Sequence, residues 1–306
     1  MKSISVNNIT KKFGEVTALN NISLDVEDGE IFGLIGPDGA GKTTLIRILT
    51  TLILPDSGNA SVTGLDVVKN YKKLRGLVGY MPGKFSLYLD LTVEENMKLF
   101  ATIFGTTIKE NYELVKDIYS QIEPFKNRQA GQLSGGMKQK LALSCALIHK
   151  PKVLFLDEPT TGVDPVSRKE LWDMLKKLKK EGITIFVSTA YMDEASLCDR
   201  VALIQLGKIL EIDPVDKIIS NFSKQLISLT SDNTHKLIND LKQYPLTHNV
   251  YPFGDSVHYI EDCKEINREE LIKFLMSRNT INLKISDRKP DIEDCFIDLM
   301  GKADGK

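Results

Sequence analysis

The chain has 306 residues, of which 42% are hydrophobic and 26% are charged. Its 40 Lys and Arg residues nearly balance its 41 Asp and Glu residues, so the formal net charge is −1. This composition is typical of an ordinary soluble globular protein and excludes collagen-like, disulfide-scaffold and wholly disordered chains. The near-neutral charge gives no general electrostatic reason to bind nucleic acid.

The sequence shows no pattern of a secreted or membrane-spanning protein. The start of the chain has no signal-peptide pattern, and no window approaches the roughly 18 apolar residues of a membrane-spanning helix. Four widely spaced cysteines show no CxxC pattern, which argues against a disulfide or zinc framework; they are Cys145, Cys198, Cys263 and Cys295. We therefore expect a protein of the reducing cytoplasm.

The first two thirds of the chain alternate strand and helix patterns. Residues 1–65 read as strands and include Ile31–Ile35, a fully apolar run next to glycine. Further along, the patterns predict a helix at 41–52, helical sequence at 93–121, a helix at 134–149, a strand at 153–157, a helix at 166–180, a strand at 183–188, a helix at 191–198 and a strand at 200–205. Such alternation predicts βαβ units and a parallel sheet.

The character of the sequence changes near residue 220. The patterns then predict a strand at 227–230, a helix at 235–244, two strands within 249–261, a helix at 267–277 and a strand at 281–285. This β-α-β-β-α-β order indicates a small α+β domain of ferredoxin-like type, so we predict domains at 1–220 and 221–306. His235, His248 and His258 have no metal-ligand spacing and are predicted to lie on the surface or in loops.

A phosphate-binding loop is the first motif that carries chemistry. The pattern G-x-x-x-x-G-K-[ST] is matched by Gly36-Pro37-Asp38-Gly39-Ala40-Gly41-Lys42-Thr43, between a predicted buried strand and a predicted helix. The glycines let backbone N–H groups surround a phosphate, and the helix N-terminus adds a favourable dipole. Lys42 can place a positive charge on the β- and γ-phosphates, and Thr43 can offer its hydroxyl to Mg²⁺.

Two further motifs complete a nucleotide site. The predicted strand at 153–157 ends in Asp157 and is followed by Glu158, which places two carboxylates at the edge where parallel sheets bind ligands. Asp157 can support Mg²⁺ through its water shell, and Glu158 can polarise an attacking water. In Leu133-Ser134-Gly135-Gly136, the serine can cap the following helix and the glycines allow close approach of an anion.

These three motifs, in this order, resemble the nucleotide-binding subunit of ABC transporters over residues 1–220. The resemblance implies a P-loop NTPase cassette with a RecA-like core, an antiparallel β subdomain and a helical signature subdomain. It also implies that two cassettes, as a homodimer or a heterodimer, hold ATP and Mg²⁺ between the phosphate loop of one and the signature of the other.

The resemblance further assigns roles to single residues. The implied nucleotide-binding residues are Phe13, as the aromatic that stacks on adenine, with Gly36, Pro37, Asp38, Gly39, Ala40, Gly41, Lys42, Thr43, Thr44, Ser134, Gly135 and Gly136. The implied metal-binding residues are Thr43 and Asp157, and the implied catalytic residues are Lys42 and Glu158. Gly162-Val163-Asp164 corresponds to the loop that links the two sites across the dimer.

Two positions depart from the family pattern. Gly83 stands where the family usually has Gln, and Ala190 stands where it usually has His. Because losing one transition-state hydrogen bond can cost about 10²–10³ in rate, we predict slow turnover at the site built on this chain's own phosphate loop. An alternative interpretation follows, in which the chain is a catalytically degenerate partner that completes the site of a second, full cassette.

The resemblance also favours an exporter. The segments Lys289–Ile297, Phe85–Tyr88 and Leu91–Asn96 look like those of drug and polysaccharide exporter cassettes. The expected function is therefore an ATPase that powers a separate membrane permease, peripheral on the inner face of the membrane, with residues from Gly83 to Leu99 meeting the permease. A regulatory module that holds ATP without turnover stays open. A cassette ATPase acting on ribosomes or DNA is disfavoured, because such proteins carry two cassettes or a long insertion.

Overall fold

The computed structural model describes residues 2–84, 87–262 and 265–303. The chain forms two compact units, Met1–Val215 and Asp216–Lys306. Cys263, and the Phe85-Ser86 pair of the predicted exporter motif, lie outside the described residues. Within the described ranges, no helix has the length and apolar character needed to cross a bilayer.

Strands and helices alternate along most of the chain. The first unit contains β1 (Lys2–Phe13), β2 (Val16–Glu27), β3 (Ile31–Ile35), α1 (Lys42–Leu49), β4 (Ser57–Val62), β5 (Leu65–Asp66), α2 (Tyr71–Arg75), β6 (Val78–Met81), α3 (Val93–Ile103), α4 (Tyr112–Tyr119), α5 (Gly135–Leu147), β7 (Val153–Asp157), α6 (Pro165–Lys180), β8 (Thr184–Thr189), β9 (Arg200–Gln205) and β10 (Lys208–Asp213). They are followed by α7 (Val215–Ser220), β11 (Leu226–Thr230), α8 (Thr234–Leu241), β12 (Thr247–Phe253), β13 (Ser256–Glu261), α9 (Arg268–Ser277), β14 (Lys284–Asp287) and α10 (Ile292–Ala303).

One sheet of the first unit is antiparallel, with strand order β2-β1-β4-β5. Along β1 the apolar residues Ile4, Val6 and Ile9 are buried, while neighbours such as Asn7 are exposed. Ile4 and Val6 are two residues apart and share the buried face, as the period of two predicts. The strand is irregular between Val6 and Ile9, where Asn8 has a positive φ, and Ile9 is buried after this irregularity.

The other sheet of the first unit is mixed and has the order β10-β9-β3-β8-β7-β6. Strands β9, β3, β8 and β7 pair in parallel as predicted, and β6 adds a further parallel strand that was not predicted. In contrast, β10 pairs antiparallel with β9. The prediction of a parallel sheet is therefore wrong at this edge. Leu206 and Gly207 explain it: both have positive φ, and a two-residue turn of that kind can join only antiparallel strands.

The central strands bring the site together at one edge. In β3 every residue is buried, and Ile35 pairs with Thr189 at the end of β8. Asp157, the last residue of β7, pairs with Ser188. The carboxyl ends of β3, β7 and β8 therefore meet at the edge where the phosphate loop begins.

The elements differ from the predictions in several places. The helical sequence predicted at 93–121 is split between α3 and α4, because Gly105 takes a left-handed conformation after α3. The helix predicted at 191–198 is a 3₁₀ helix at Met192–Leu197, and the strand predicted at 281–285 is β14, displaced toward the C-terminus. Five elements are absent from the predictions, namely β6, β10, α2, α7 and α10.

The second unit contains an antiparallel sheet with strand order β12-β13-β11-β14, and α8 and α9 lie between its strands in the sequence. Its core includes Ile227, Leu229, Leu237 and Tyr259. The prediction of surface histidines is wrong for His258, which lies in β13 with no exposed surface, and its Nδ1 is 2.6 Å from Asp294 Oδ1. A buried imidazole needs a polar partner, which sequence spacing does not reveal.

Glu261 gives the second unit a pH-dependent stability. Its side chain is buried, and Tyr259 Oη donates a hydrogen bond to its Oε1 at 3.0 Å. Burial raises the pKa of the Glu261 carboxyl. A raised folded-state pKa means that stability is complete below the unfolded-state pKa and falls as the pH rises through the folded-state pKa.

We expect Glu261→Gln to raise the melting temperature at pH 8 by a few degrees and to change it little at pH 4.5. Thermal unfolding of the full chain followed by circular dichroism measures both values. The exposed Glu269→Gln in α9 is the matched control. An equal effect of Glu261→Gln at the two pH values would contradict the assignment.

Candidate functional site: a nucleotide-binding cleft

The phosphate loop connects β3 to α1 and depends on its glycines. Gly39 and Gly41 have φ angles of 78° and 107°, a region that favours glycine. A Cβ on Gly41 would lie 2.5 Å from the carbonyl oxygen of Ala18, and one on Gly36 would lie 2.1 Å from that of Ile204. The loop is therefore held against β2 and β9 at distances that no larger residue permits.

Lys42 is buried inside this loop. Its Nζ donates hydrogen bonds to the carbonyl oxygens of Gly36 at 2.7 Å and Pro37 at 2.9 Å. The same Nζ forms an ion pair with Glu158 Oε1 at 3.0 Å, and the Lys42 side chain is only 3% exposed. The ammonium group thus lies at the loop, where an incoming phosphate competes with Glu158 for it.

Asp157 is joined to α1 and β8 by hydrogen bonds. Thr43 Oγ1 donates to Asp157 Oδ1 at 3.1 Å, and Ser188 Oγ donates to the same oxygen at 2.7 Å. The structure thus brings together the two predicted metal-binding residues. Ser188, to which the sequence motifs assign no role, orients the carboxylate.

Glu158 has an unusual backbone. Its φ is 49°, a conformation that a non-glycine residue seldom adopts and that is often found at functional sites. The Glu158 N–H is held by both the carbonyl and the hydroxyl oxygen of Ser188, each at 3.1 Å. Thr161 Oγ1 donates to Glu158 Oε2 at 3.3 Å. These contacts direct the carboxylate toward Lys42.

The two positions that depart from the family pattern both lie beside this cluster. A Cβ on Gly83 would be 3.0 Å from the carbonyl oxygen of Asp157 and 3.9 Å from Glu158 Cβ. Ala190 directly follows Thr189, whose carbonyl oxygen accepts a hydrogen bond from Gly36 N at 3.2 Å. Neither Gly83 nor Ala190 offers a polar side-chain atom, so this part of the site is left to water or to backbone groups.

The signature residues start α5. Ser134 Oγ accepts a hydrogen bond from Met137 N at 3.4 Å, so the predicted cap is present. Ser134 and Gly135 are exposed. Gln139 Nε2 donates to the carbonyl oxygen of Pro159, which ties α5 to the residue after Glu158. Among the hydrogen bonds of the described residues, none joins the signature to this chain's own phosphate loop.

A cleft of about 280 Å³ opens at the phosphate loop. Its polar lining includes Lys42, Thr43, Thr44 and Glu158, and its apolar lining includes Val16 and Leu206. Val16 and Leu206 are 67% and 69% exposed, although both are large apolar residues. No sequence motif indicates these two residues, because they come from separate hairpins.

Phe13, which the resemblance implies as the adenine-stacking residue, is not in the lining of this cleft. It lies at the end of β1 with 51% of its surface exposed, and Lys11 Nζ is 5.5 Å from its ring centroid. The stacking role of Phe13 stays a prediction.

We expect Val16→Asp to weaken ATP binding by about tenfold, because it places a charge on an apolar wall of the cleft. Titration with a fluorescent ATP analogue measures the change. Val68→Asp is the control, since Val68 is an exposed valine outside the cleft. If Val16→Asp bound ATP as wild type does and Phe13→Ala bound it more weakly, the adenine would be assigned to a position against Phe13 and not against Val16.

Known proteins are similar to this chain in sequence and in structure. A protein-family model described as "ABC transporter" matches residues 19–161. The probable multidrug ABC transporter ATP-binding protein YbhF of Escherichia coli (strain K12) is 40% identical over 307 residues, covering 98% of this chain and 52% of the relative. Nod factor export ATP-binding protein I of Burkholderia lata is 35% identical over 303 residues, covering 98% of this chain and 97% of the relative.

The chain belongs to the ABC transporter family of ATP-binding proteins. This ABC cassette spans about half the length of the E. coli relative. It also matches a solved ATP-binding subunit of an ABC transporter, with a TM-score of 0.66 and 27% identity over 72% of this chain and 92% of that one. A second match is a dimeric cassette in a post-hydrolysis state bound to ADP and Pi, with a TM-score of 0.63, 28% identity and coverage of 69% and 98%.

The predicted membership of the ABC family is therefore confirmed, and with it the P-loop cassette fold. The relatives above are named as ATP-binding proteins of multidrug transport and Nod factor export. These names do not favour the alternative of a catalytically degenerate partner subunit.

Proposed function

We propose that this chain binds ATP with Mg²⁺, hydrolyses it, and uses the energy to power a membrane permease for export. The observation that carries the proposal is the contact of Lys42 with Glu158, beside the hydrogen-bonded pair of Thr43 and Asp157. The names of the multidrug and Nod factor export relatives support the direction of transport.

The residues present fit both a phosphate and a magnesium ion. The loop presents backbone N–H groups at a helix N-terminus, and Lys42 adds a cation. A hydroxyl and a carboxylate are oxygen ligands of the kind that Mg²⁺ prefers, and Thr43 and Asp157 supply one of each. When bound, Mg²⁺ neutralises charge on the β- and γ-phosphates.

Glu158 is placed to act on water. In the proposed reaction, phosphate draws Lys42 away from the Glu158 carboxylate, which then accepts a hydrogen bond from the attacking water and orients it. The φ of 49° at Glu158 and its contact with Thr161 keep the carboxylate at this position. Gly83 and Ala190 add no side-chain contact to the water or the phosphate, so we propose that turnover at this site is slow.

A second cassette, identical or different, would complete the ATP site. This proposal is supported by the exposure of Ser134 and Gly135 at the start of α5 and by the lack of a hydrogen bond from them to this chain's own loop within the described ranges. The proposed partners therefore include another nucleotide-binding cassette, and they do not include nucleic acid.

We also propose that the segment from Gly83 to Leu99 forms the surface that meets the permease. A groove of about 610 Å³ lies next to this segment, and its lining includes Leu52, Arg75, Ile103 and Phe104. Leu52 and Ile103 are 53% and 61% exposed, which leaves apolar surface for a partner. Such contact would place the cassette on the inner face of the membrane.

The C-terminal residues 221–306 are proposed to be an accessory domain of ferredoxin-like type. The element order β11-α8-β12-β13-α9-β14 and the antiparallel strand order β12-β13-β11-β14 support this classification.

The permease proposal is tested by site-specific photocrosslinking in the native cell. A photoreactive amino acid replaces Ile103 in the full chain, and mass spectrometry identifies the crosslinked protein. We expect a polytopic membrane protein, and we expect none from the same probe at Met276, an exposed control in α9. Crosslinks from Ile103 to water-soluble proteins alone would contradict the proposal.

A further inference from the structure

Arg168 is rigidly attached to the loop that precedes α6. Asp164 Oδ1 accepts hydrogen bonds from Val166 N at 3.1 Å and Ser167 N at 3.0 Å, so Asp164 caps the helix. The backbone N–H of Arg168 donates a hydrogen bond to the carbonyl oxygen of Asp164 at 2.9 Å. A movement of the Gly162-Val163-Asp164 loop therefore moves Arg168 with it.

The Arg168 side chain contacts the segment that follows β8. Its guanidinium carbon is 4.2 Å from the ring centroid of Tyr191, a distance at which a cation is attracted to an aromatic face. Its Nη1 is 3.2 Å from Asp193 Oδ2, and its Nε is 3.5 Å from Glu194 Oε1. One side chain thus holds three residues of this segment.

The burial of Glu194 explains why it needs the contact with Arg168. Its side chain is 1% exposed, and within the described part of the chain neither carboxylate oxygen has a hydrogen-bond partner. A buried carboxylate of this kind needs a compensating charge, and Arg168 supplies it.

The segment held by Arg168 is linked to the phosphate loop by hydrogen bonds through Thr189. Tyr191 N donates to Thr189 Oγ1 at 3.0 Å, and the Thr189 carbonyl oxygen accepts from Gly36 N at 3.2 Å. Ala190 lies between Thr189 and Tyr191 and has no polar side chain with which to bind a phosphate. The position of this segment beside the phosphate loop therefore depends on the contacts that other elements make with it, such as those of Arg168 in α6.

We propose that Arg168 is a positioning residue for ATP hydrolysis: it holds the Ala190–Glu194 segment in place and links it to the Gly162-Val163-Asp164 loop. The inference rests on the ATPase function proposed above. A shift of the Gly162-Val163-Asp164 loop would, through Arg168, move the backbone next to the phosphate loop. Displacement of a reacting group by about 1 Å can cost about 10²-fold in rate.

The test separates positioning from stability with a double variant of the full chain. Arg168→Met leaves Glu194 buried without a counter-charge and is expected to lower both the melting temperature and turnover. Arg168→Met with Glu194→Gln removes both charges and is expected to restore the melting temperature. Turnover of the double variant is expected to stay at least about tenfold below wild type, with ATP affinity within about twofold of wild type.

Lys177→Met is the matched control, because it removes an exposed ion pair with Asp117 from the same helix. It is expected to keep wild-type turnover. A double variant that regains both stability and turnover would overturn the proposal and leave Arg168 a structural role. If wild type and Lys177→Met show no turnover above background, it is the ATPase function that fails, and the proposal built on it fails with it.

Discussion

Glu158→Gln is expected to lower ATP turnover by at least about 10²-fold, because an amide cannot accept the proton or orient the water as a carboxylate does. ATP binding is expected to become tighter at the same time. In the structure Glu158 neutralises Lys42 at 3.0 Å, and a phosphate must displace it. Glutamine has no charge with which to compete for Lys42 or to repel the phosphate.

Turnover is measured as phosphate release by the purified full chain with Mg²⁺, and affinity is measured by titration with a fluorescent ATP analogue. Glu170→Gln is the matched control, since Glu170 is a surface acid paired with Lys140 in the first unit. It should leave both values unchanged. A Glu158→Gln variant that retains turnover within about threefold of wild type would remove Glu158 from the proposed chemistry.

Ala190→His is expected to raise turnover by about tenfold or more, because it supplies a hydrogen-bonding side chain next to the phosphate loop. Gly83→Gln is expected to help less. A Cβ at Gly83 would be 3.0 Å from the Asp157 carbonyl oxygen, so the loop must move before the new amide can reach the site. The double variant is expected to exceed either single variant.

Two control variants carry the added atoms without the polar groups. Gly83→Ala measures the effect of a Cβ alone on turnover, and Ala190→Leu measures the effect of a larger side chain that has no polar atom. Both are expected to show turnover at or below the wild-type value. No increase from Ala190→His or from the double variant would mean that the absence of these two side chains does not limit hydrolysis.

The phosphate loop could be predicted because its residues are contiguous and lie between a buried strand and a helix. Ser188, Val16 and Leu206 could not, since they reach the site from separate strands and hairpins and form no local pattern. The pairing of Arg168 with buried Glu194 likewise depends on how α6 packs, which spacing does not encode.

Turn chemistry explains the errors in the predicted fold. The two-residue turn at Leu206-Gly207 reverses the chain and adds β10 antiparallel to an otherwise parallel sheet. Gly105 also has a positive φ, and it ends α3 within a long helical sequence pattern. A surface or loop position is predicted for His258 because it has no metal-ligand spacing. Its buried partner Asp294 lies 36 residues further along the chain, where no local pattern connects the two.

The most direct test of the proposed function is the Mg²⁺-dependent release of phosphate by wild type and by Lys42→Met at ATP concentrations that saturate wild-type binding. We predict slow multiple turnover by wild type and none above background by Lys42→Met, because Lys42 is the cation buried in the phosphate loop. Equal release by the two proteins would contradict the claim that this chain is an ATPase acting through this site.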